Sequence, residues 1–116
     1  MDSVRKQKLE ESGIDVDSGM ARFMGNEALY EKFLKKFCDD KSYADLVQAV
    51  AGGDCEKAFV AAHTLKGVCG NLSMTTLEQL VSRQVEYLRS GELVPAADMM
   101  PEITAAYEDI IHVIGR

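Results

Sequence analysis

One histidine in the middle of the chain lies among residues that could support transfer of an anionic group. His63 is followed three residues later by Lys66, and glycines stand at positions 67 and 70. Histidine changes charge near neutral pH, so a large share of its side chains is uncharged and nucleophilic there. On a helix, a lysine three residues further along lies beside the histidine and would offset the negative charge of a group bound to the ring.

The two glycines are unusual for the surface of a helix, because each costs about 1 kcal/mol relative to alanine in a helix interior. Without side chains, Gly67 and Gly70 would let the backbone of another molecule approach the imidazole. Phe59, four residues before His63, would add an apolar edge that a partner could cover. Two other interpretations stay open: His63 is an ordinary surface residue, or the glycines only let a neighbouring helix of the same chain pack closely.

The pattern around the histidine predicts a helix from Asp54, its N-cap, to about Asn71. At 100° per residue, the apolar residues of this segment fall on one side, which is predicted to be buried. His63 lies roughly 140° from the middle of that side, so it is predicted to be exposed. The predicted buried residues are Ala58, Ala62, Leu65, Cys69 and Leu72.

Helical spacing continues through the rest of the chain, with almost no alternation of period two, so the predicted fold class is all-α. Two short N-terminal helices are expected, one over about 3–12 and one from Asp17 or Ser18 to Met24. The remaining helices form an antiparallel four-helix bundle, which the two short ones flank. These remaining segments are 26–37, 42–51, 54–71, 73–90 with Ser73 as N-cap, and a last helix opened by Pro95. The segments 26–37 and 42–51 are either two helices or one kinked element. Pro101 is either the true start of the last helix or a kink within it.

Inward positions of the first two bundle segments are predicted from spacings of three and four residues. In 26–37 they are Leu29, Tyr30, Phe33, Leu34 and Phe37, and in 42–51 they are Tyr43, Leu46, Val47 and Val50.

Length and composition exclude several classes of protein. The 116 residues suit a single domain spanning 1–116, and no apolar run is long enough to cross a bilayer. The N-terminus lacks a secretory signal, and 13 basic against 19 acidic residues give a net charge of -6, which argues against nucleic acid. Three cysteines without metal-ligand spacing are expected to be reduced, so we predict a cytoplasmic protein without a metal site. A monomer is expected, and the sequence leaves open whether the domain stands alone or is part of a larger kinase.

The run AAHTLKGVCGNL, residues 61–72, resembles the signature of histidine-containing phosphotransfer (HPt) domains, which carry phosphoryl groups in bacterial phosphorelays and their eukaryotic relatives. Residues 13–37 resemble the usual lead-in of that family, and Gly53-Asp54 resembles its approach to the histidine helix. The resemblance covers about residues 13–91 and is most specific around His63.

Several roles are implied by this resemblance alone. His63 matches the phosphorylated histidine, Lys66 the lysine that steadies the phosphoryl oxygens, and Gly67 the glycine that leaves room for the partner. Gly70 and Asn71 match the end of the motif, where the role concerns packing and helix termination.

Four positions depart from the pattern of the family, among them Asn26, which stands where aspartate is common. Many members carry a polar residue where Val85 stands, so the adjacent Gln84 is the candidate hydrogen-bond partner of the ring's second nitrogen. Ser73 replaces a frequent glycine, and Met74 a small residue.

The function implied is that of a phosphorelay carrier. His63 would accept a phosphoryl group from an aspartate of a receiver domain and pass it to another receiver, and a hybrid sensor histidine kinase is a further candidate partner. Magnesium and most catalytic groups would belong to the receiver, so no cofactor is expected in this chain. Because a nucleotide-binding loop is absent from the sequence, we expect no autonomous kinase activity. The alternative is a helical interaction module that binds partners without phosphotransfer.

Overall fold

The computed structural model describes residues 1–115, and every regular element in that range is helical, which confirms the all-α prediction. A 3-10 turn, Phe37–Asp39, connects the third helix to the fourth. None of the helices in 1–115 is long and apolar enough to cross a membrane. The α-helices are α1 (Ser3–Glu11), α2 (Val16–Arg22), α3 (Glu27–Lys36), α4 (Ser42–Ala51), α5 (Cys55–Asn71), α6 (Thr75–Arg89), α7 (Leu93–Asp98) and α8 (Met100–Ile114).

The predicted four-helix bundle is formed by α4, α5, α6 and α8. Helix α5 packs along both α4 and α6, to which it is joined by three-residue connections that force antiparallel neighbours. Helix α8 packs against α6, and its residues Thr104 and Tyr107 contact Tyr43 of α4. There the rings of Tyr43 and Tyr107 stack with centroids 3.8 Å apart, and the hydroxyl of Tyr43 lies 2.7 Å from that of Thr104.

Burial along α5 follows the predicted stripe. Its small and apolar residues face α4 and α6, and each of the five predicted positions is at least 95% buried, which confirms the orientation of the helix. Three inward predictions on other helices are wrong. Leu29 and Phe33 on α3 and Val47 on α4 are each 38% exposed. The reason is that neighbouring helices cover only part of the apolar face of α3 and of α4.

Local signals explain both ends of α5. At its start, the carboxylate of Asp54 accepts the amide N–H of Lys57 at 3.0 Å, as predicted for an N-cap. At its end, Ser73 is not the N-cap of α6, a position that Met74 occupies. Ser73 instead has a φ of +56°, in the left-handed region that favours glycine, and it turns the chain from α5 into α6. The carbonyl of Ser73 accepts the amide of Asp15 at 2.8 Å, which ties this turn to the lead-in segment.

The N-terminal helices flank the bundle as predicted. Helix α1 packs against α8, and the guanidinium of Arg5 donates to the carboxylate of Glu31 and, at 2.8 Å, to the carbonyl of Val113. The cap of α2 differs from the prediction. Asp15 accepts the amide of Ser18, so the helix begins one turn earlier than a cap at Ser18 would allow.

The C-terminal part consists of two helices rather than one. Pro95 lies inside the short α7, and Pro101 lies in the first turn of α8. A proline is tolerated in a first turn because the amide that it lacks has no partner within the helix. Of the two alternatives for Pro101, the structure therefore selects a helix start.

Tyr30 joins α3 to the end of the histidine helix. Its ring is fully buried against Gly19 of α2, where a Cβ would collide with the phenol, and its hydroxyl donates to the carbonyl of Leu72 at 2.9 Å. Loss of solvation on burial, followed by the charges of Asp15 and Glu31, raises the pKa of Tyr30 to about 12.

Tyr30→Phe is expected to lower the free energy of unfolding near neutral pH by about 1–3 kcal/mol, because the buried carbonyl of Leu72 loses its donor. The native chain should also lose stability as the pH rises from about 10 towards 12, because the unfolded tyrosine releases its proton at lower pH than the folded one. The variant should show a shallower decline. Urea unfolding at neutral pH and above pH 9 measures both effects, and equal slopes would contradict the assignment to Tyr30.

Candidate functional site

His63 lies on the side of α5 that neither α4 nor α6 covers, and it is exposed as predicted. Its nearest described aromatic neighbour is Phe59, one turn earlier, with ring centroids 5.8 Å apart and planes inclined by 37°. Among residues 1–115, neither ring nitrogen of His63 has a hydrogen-bond partner. Both nitrogens are therefore free to react or to bind a partner, and the orientation of the ring depends on packing.

Phe59 is half-buried and is itself contacted from α6. The guanidinium carbon of Arg89 lies 5.2 Å from the centroid of the Phe59 ring, within the range of a cation–π interaction. The Nε of Arg89 also donates to the carboxylate of Glu86 at 3.2 Å, although Arg89 remains 54% exposed. A cation on α6 thus adjoins the aromatic neighbour of the histidine.

Lys66 provides a second cation on the same helix as the histidine. It is half-buried, and in the described part of the chain it forms no ion pair within 4.0 Å. Because residues three apart on a helix have neighbouring side chains, its ammonium is within reach of a group carried on the imidazole. The charge of Lys66 is therefore available to a ligand rather than taken up by an internal carboxylate.

The two glycines near His63 have different surroundings. A Cβ at Gly67 would meet no atom within 4 Å, so close packing inside the chain does not require this glycine. A Cβ at Gly70 would lie 2.5 Å from a carboxylate oxygen of Glu78 on α6. The carboxylate of Glu78 would have to move to admit a side chain at position 70, and contact of Gly70 with a partner stays a prediction.

Gln84 is not placed beside the histidine, and this prediction is corrected. Its side chain is fully buried, and its amide nitrogen donates to the carbonyl of Ala96 at 2.9 Å and contacts the sulfur of Met100 at 3.1 Å. The side chain points from α6 towards α7 and the start of α8, away from the surface. Gln84 can therefore neither hydrogen-bond the imidazole nor contact a partner, and Val85 is likewise fully buried.

The surroundings of His63 are asymmetric in charge. A shallow groove between α4 and α5 runs up to Thr64, next to the histidine, and its border carries acidic side chains together with Lys41 and Lys57. On the other side of α5, towards α6, lie the cations Lys66 and Arg89 together with the carboxylates of Glu78 and Glu86, the second of which pairs with Arg89. The acidic residues along the groove are Asp40, Asp45, Asp54 and Glu56.

Two features of this surface were missed by the sequence analysis. Val60 is 63% exposed one turn before the histidine, and Arg89 reaches Phe59 from the neighbouring helix. Arg89 could have been found by counting from the turn at Ser73, because Phe59 precedes that turn by 14 residues and Arg89 follows it by 16. In an antiparallel pair, residues at similar distances from the turn lie opposite one another.

The side chains in 1–115 include no group of three or more potential metal ligands. Residues 28–112 match the family model of the Hpt domain, which covers most of the chain, so the chain belongs to the Hpt domain family. No curated protein matches the chain, and no solved structure does.

Gly67→Ala is expected to raise the free energy of unfolding by about 1 kcal/mol, because alanine favours the helix and its methyl group has open space. Gly70→Ala is the matched comparison within α5, since it brings the same gain in helix propensity but requires Glu78 to move. It should therefore stabilise the chain less than Gly67→Ala does. Urea unfolding of the two variants measures the difference, and a destabilised Gly67→Ala protein would show that the space is not open.

Proposed function

We propose that His63 is the residue that carries the phosphoryl group between receiver domains. The chain is an Hpt domain, with a general role in histidine phosphotransfer within phosphorelays. The observation that carries this proposal is the exposed imidazole beside Gly67, a helical glycine that no internal contact requires. A glycine that costs helix stability and is not needed for packing is explained by the approach of another molecule.

In the proposed step, an uncharged imidazole attacks the phosphorus of an aspartyl phosphate on a receiver domain. The new N–P bond forms at Nε2 as the P–O bond to the aspartate breaks, and the receiver's carboxylate leaves with the bonding electrons. The proton on the other ring nitrogen stays there. Return of the group to a second receiver is the reverse of this step, so the chain regains its free imidazole.

Little covalent work falls to this chain, and its contribution is position and charge. Lys66 lies where its ammonium can offset the charge on the phosphoryl oxygens. The open position at Gly67 lets the receiver bring its aspartate to the ring. With Lys66 and Arg89 on the α6 side of His63, an acidic pocket of a receiver would find its complementary charges there.

The same features support a carrier rather than an enzyme that phosphorylates itself. Hpt domains are phosphotransfer carriers, and the sequence has no phosphate-binding loop for ATP. The phosphoryl group must then come from a partner, either a receiver domain or the receiver of a hybrid sensor histidine kinase. We further propose that the protein acts in the cytoplasm as a monomer and forms short-lived complexes, because a carrier must release each partner.

The test is transfer from a phosphorylated receiver domain with a radioactive phosphoryl group. The native chain is expected to take up a label that is lost in acid, as expected of a phosphohistidine, and His63→Gln is expected to take up none. His112→Gln is the matched control, since His112 is the second histidine of the chain and is also exposed.

If the native chain takes no label from any of a panel of receivers but still binds one of them, it is an interaction module without phosphotransfer. A label that persists in His63→Gln and disappears in His112→Gln would show that His112, and not His63, carries the phosphoryl group.

Gly67→Gln is expected to block transfer, because its side chain would occupy the space through which the receiver approaches His63. Gly67→Ala, which adds one methyl group to the same open space, should slow transfer less. Circular dichroism should show unchanged helix content in both variants, and single-turnover labelling measures transfer. Native rates in Gly67→Gln would show that close approach is not the role of this glycine.

A further inference from the structure

The imidazole of His63 is held in an unusual way for a reactive side chain. Within the described residues no hydrogen bond fixes either ring nitrogen, and the ring of Phe59 packs beside the imidazole. Gln84, the hydrogen-bond candidate chosen from the sequence, donates to the carbonyl of Ala96 in the core. Orientation of the ring must therefore come from packing on the surface of α5.

Phe59 is well placed to supply that packing. Side chains on a helix lean towards its N-terminus, so the imidazole extends over the preceding turn, where Phe59 lies. The ring of Phe59 is in turn contacted by the guanidinium of Arg89, which is tied to Glu86. A chain of contacts therefore runs from α6, through Phe59, to the histidine on α5.

Orientation matters for this reaction more than for most surface contacts. In-line transfer needs the attacking nitrogen, the phosphorus and the leaving oxygen nearly collinear, and small misplacements reduce rates strongly. An exposed histidine without a hydrogen bond would otherwise sample several side-chain rotamers. A ring that limits this sampling raises the rate of the step without touching the phosphoryl group.

We propose that Phe59, steadied by Arg89, is the positioning residue for His63 and takes the place of a hydrogen bond to the imidazole. This inference rests on the proposed function of His63 and adds to it the means by which the reactive ring is oriented. It also changes the role of Phe59, from an edge covered by a partner to a support within the chain.

The experiment compares single-turnover transfer from a phosphorylated receiver over a range of receiver concentrations. Phe59→Leu, which keeps an apolar side chain but removes the aromatic ring, is expected to lower the maximal rate about tenfold. The receiver concentration at half-maximal rate should stay within about twofold, because the contact is internal to the chain. Phe59→Tyr, which keeps the aromatic ring, should have the maximal rate of the native chain. Arg89→Gln should lower the maximal rate by a smaller factor than Phe59→Leu does.

The chain offers a closely matched control. Phe33 on α3 also lies under a cation, with the Nζ of Lys36 5.2 Å from its ring centroid, and it is likewise partly exposed, but no histidine adjoins it. Phe33→Leu should therefore leave the maximal rate unchanged. An equal loss of rate in Phe33→Leu would attribute the effect to general loosening and overturn the proposal.

A spectroscopic measurement tests the same contact without phosphotransfer. In the native protein, nuclear Overhauser effects between the rings of Phe59 and His63, together with the side-chain couplings of His63, should report one dominant rotamer. Phe59→Leu should show averaging among rotamers, and Phe59→Tyr should not. A single rotamer in Phe59→Leu, or a native maximal rate in that variant, overturns the positioning role.

Failure of this proposal is separable from failure of the proposed function. If the native chain accepts the label while Phe59→Leu matches it in rate and rotamer, His63 is the carrier but Phe59 does not position it. If the native chain accepts no label from any receiver, the proposed function fails, and the positioning role for that reaction fails with it.

Discussion

Helix α5 has neighbours on two sides, and this constraint determines what its third side can do. Its small residues, among them Ala58, Ala62 and Cys69, let α4 and α6 approach closely and leave no room for polar side chains there. The residues of α5 that face neither α4 nor α6 are therefore exposed, on a helix that cannot easily tilt or shift. The side chain of His63 therefore has a rigid support in the core while its ring stays exposed to solvent.

Rigidity also depends on the turn that follows the histidine helix. Ser73 adopts a conformation usually left to glycine, and the lead-in segment stabilises it through the amide of Asp15, while Tyr30 binds the carbonyl of Leu72. The N-terminal third of the chain thus holds the end of α5 and the start of α6 in register. That register brings Arg89 opposite Phe59 at the far end of the helix pair.

The two glycines of the histidine motif differ in what surrounds them. Gly67 and Gly70 look equivalent in the sequence, since both lie on the same helix near His63. In the structure one faces open space and the other faces the carboxylate of Glu78. Only the surroundings of the missing side chain therefore distinguish the two positions.

Helical periodicity and capping residues were enough to determine the fold class, the bundle, the start of α5 at Asp54 and the exposure of His63, because these depend on residues within a few turns of one another. The sequence could not determine the surroundings of Gln84, which α7 buries, or the exposure of Phe33 and Val47, which depends on how wide a face their neighbours cover. The contact between Arg89 and Phe59 is different, since their similar distances from the turn at Ser73 already place the two residues opposite one another in an antiparallel helix pair. The other contacts between elements distant in sequence were decided by tertiary packing, because side-chain periodicity specifies which face is buried but not which residue lies opposite it.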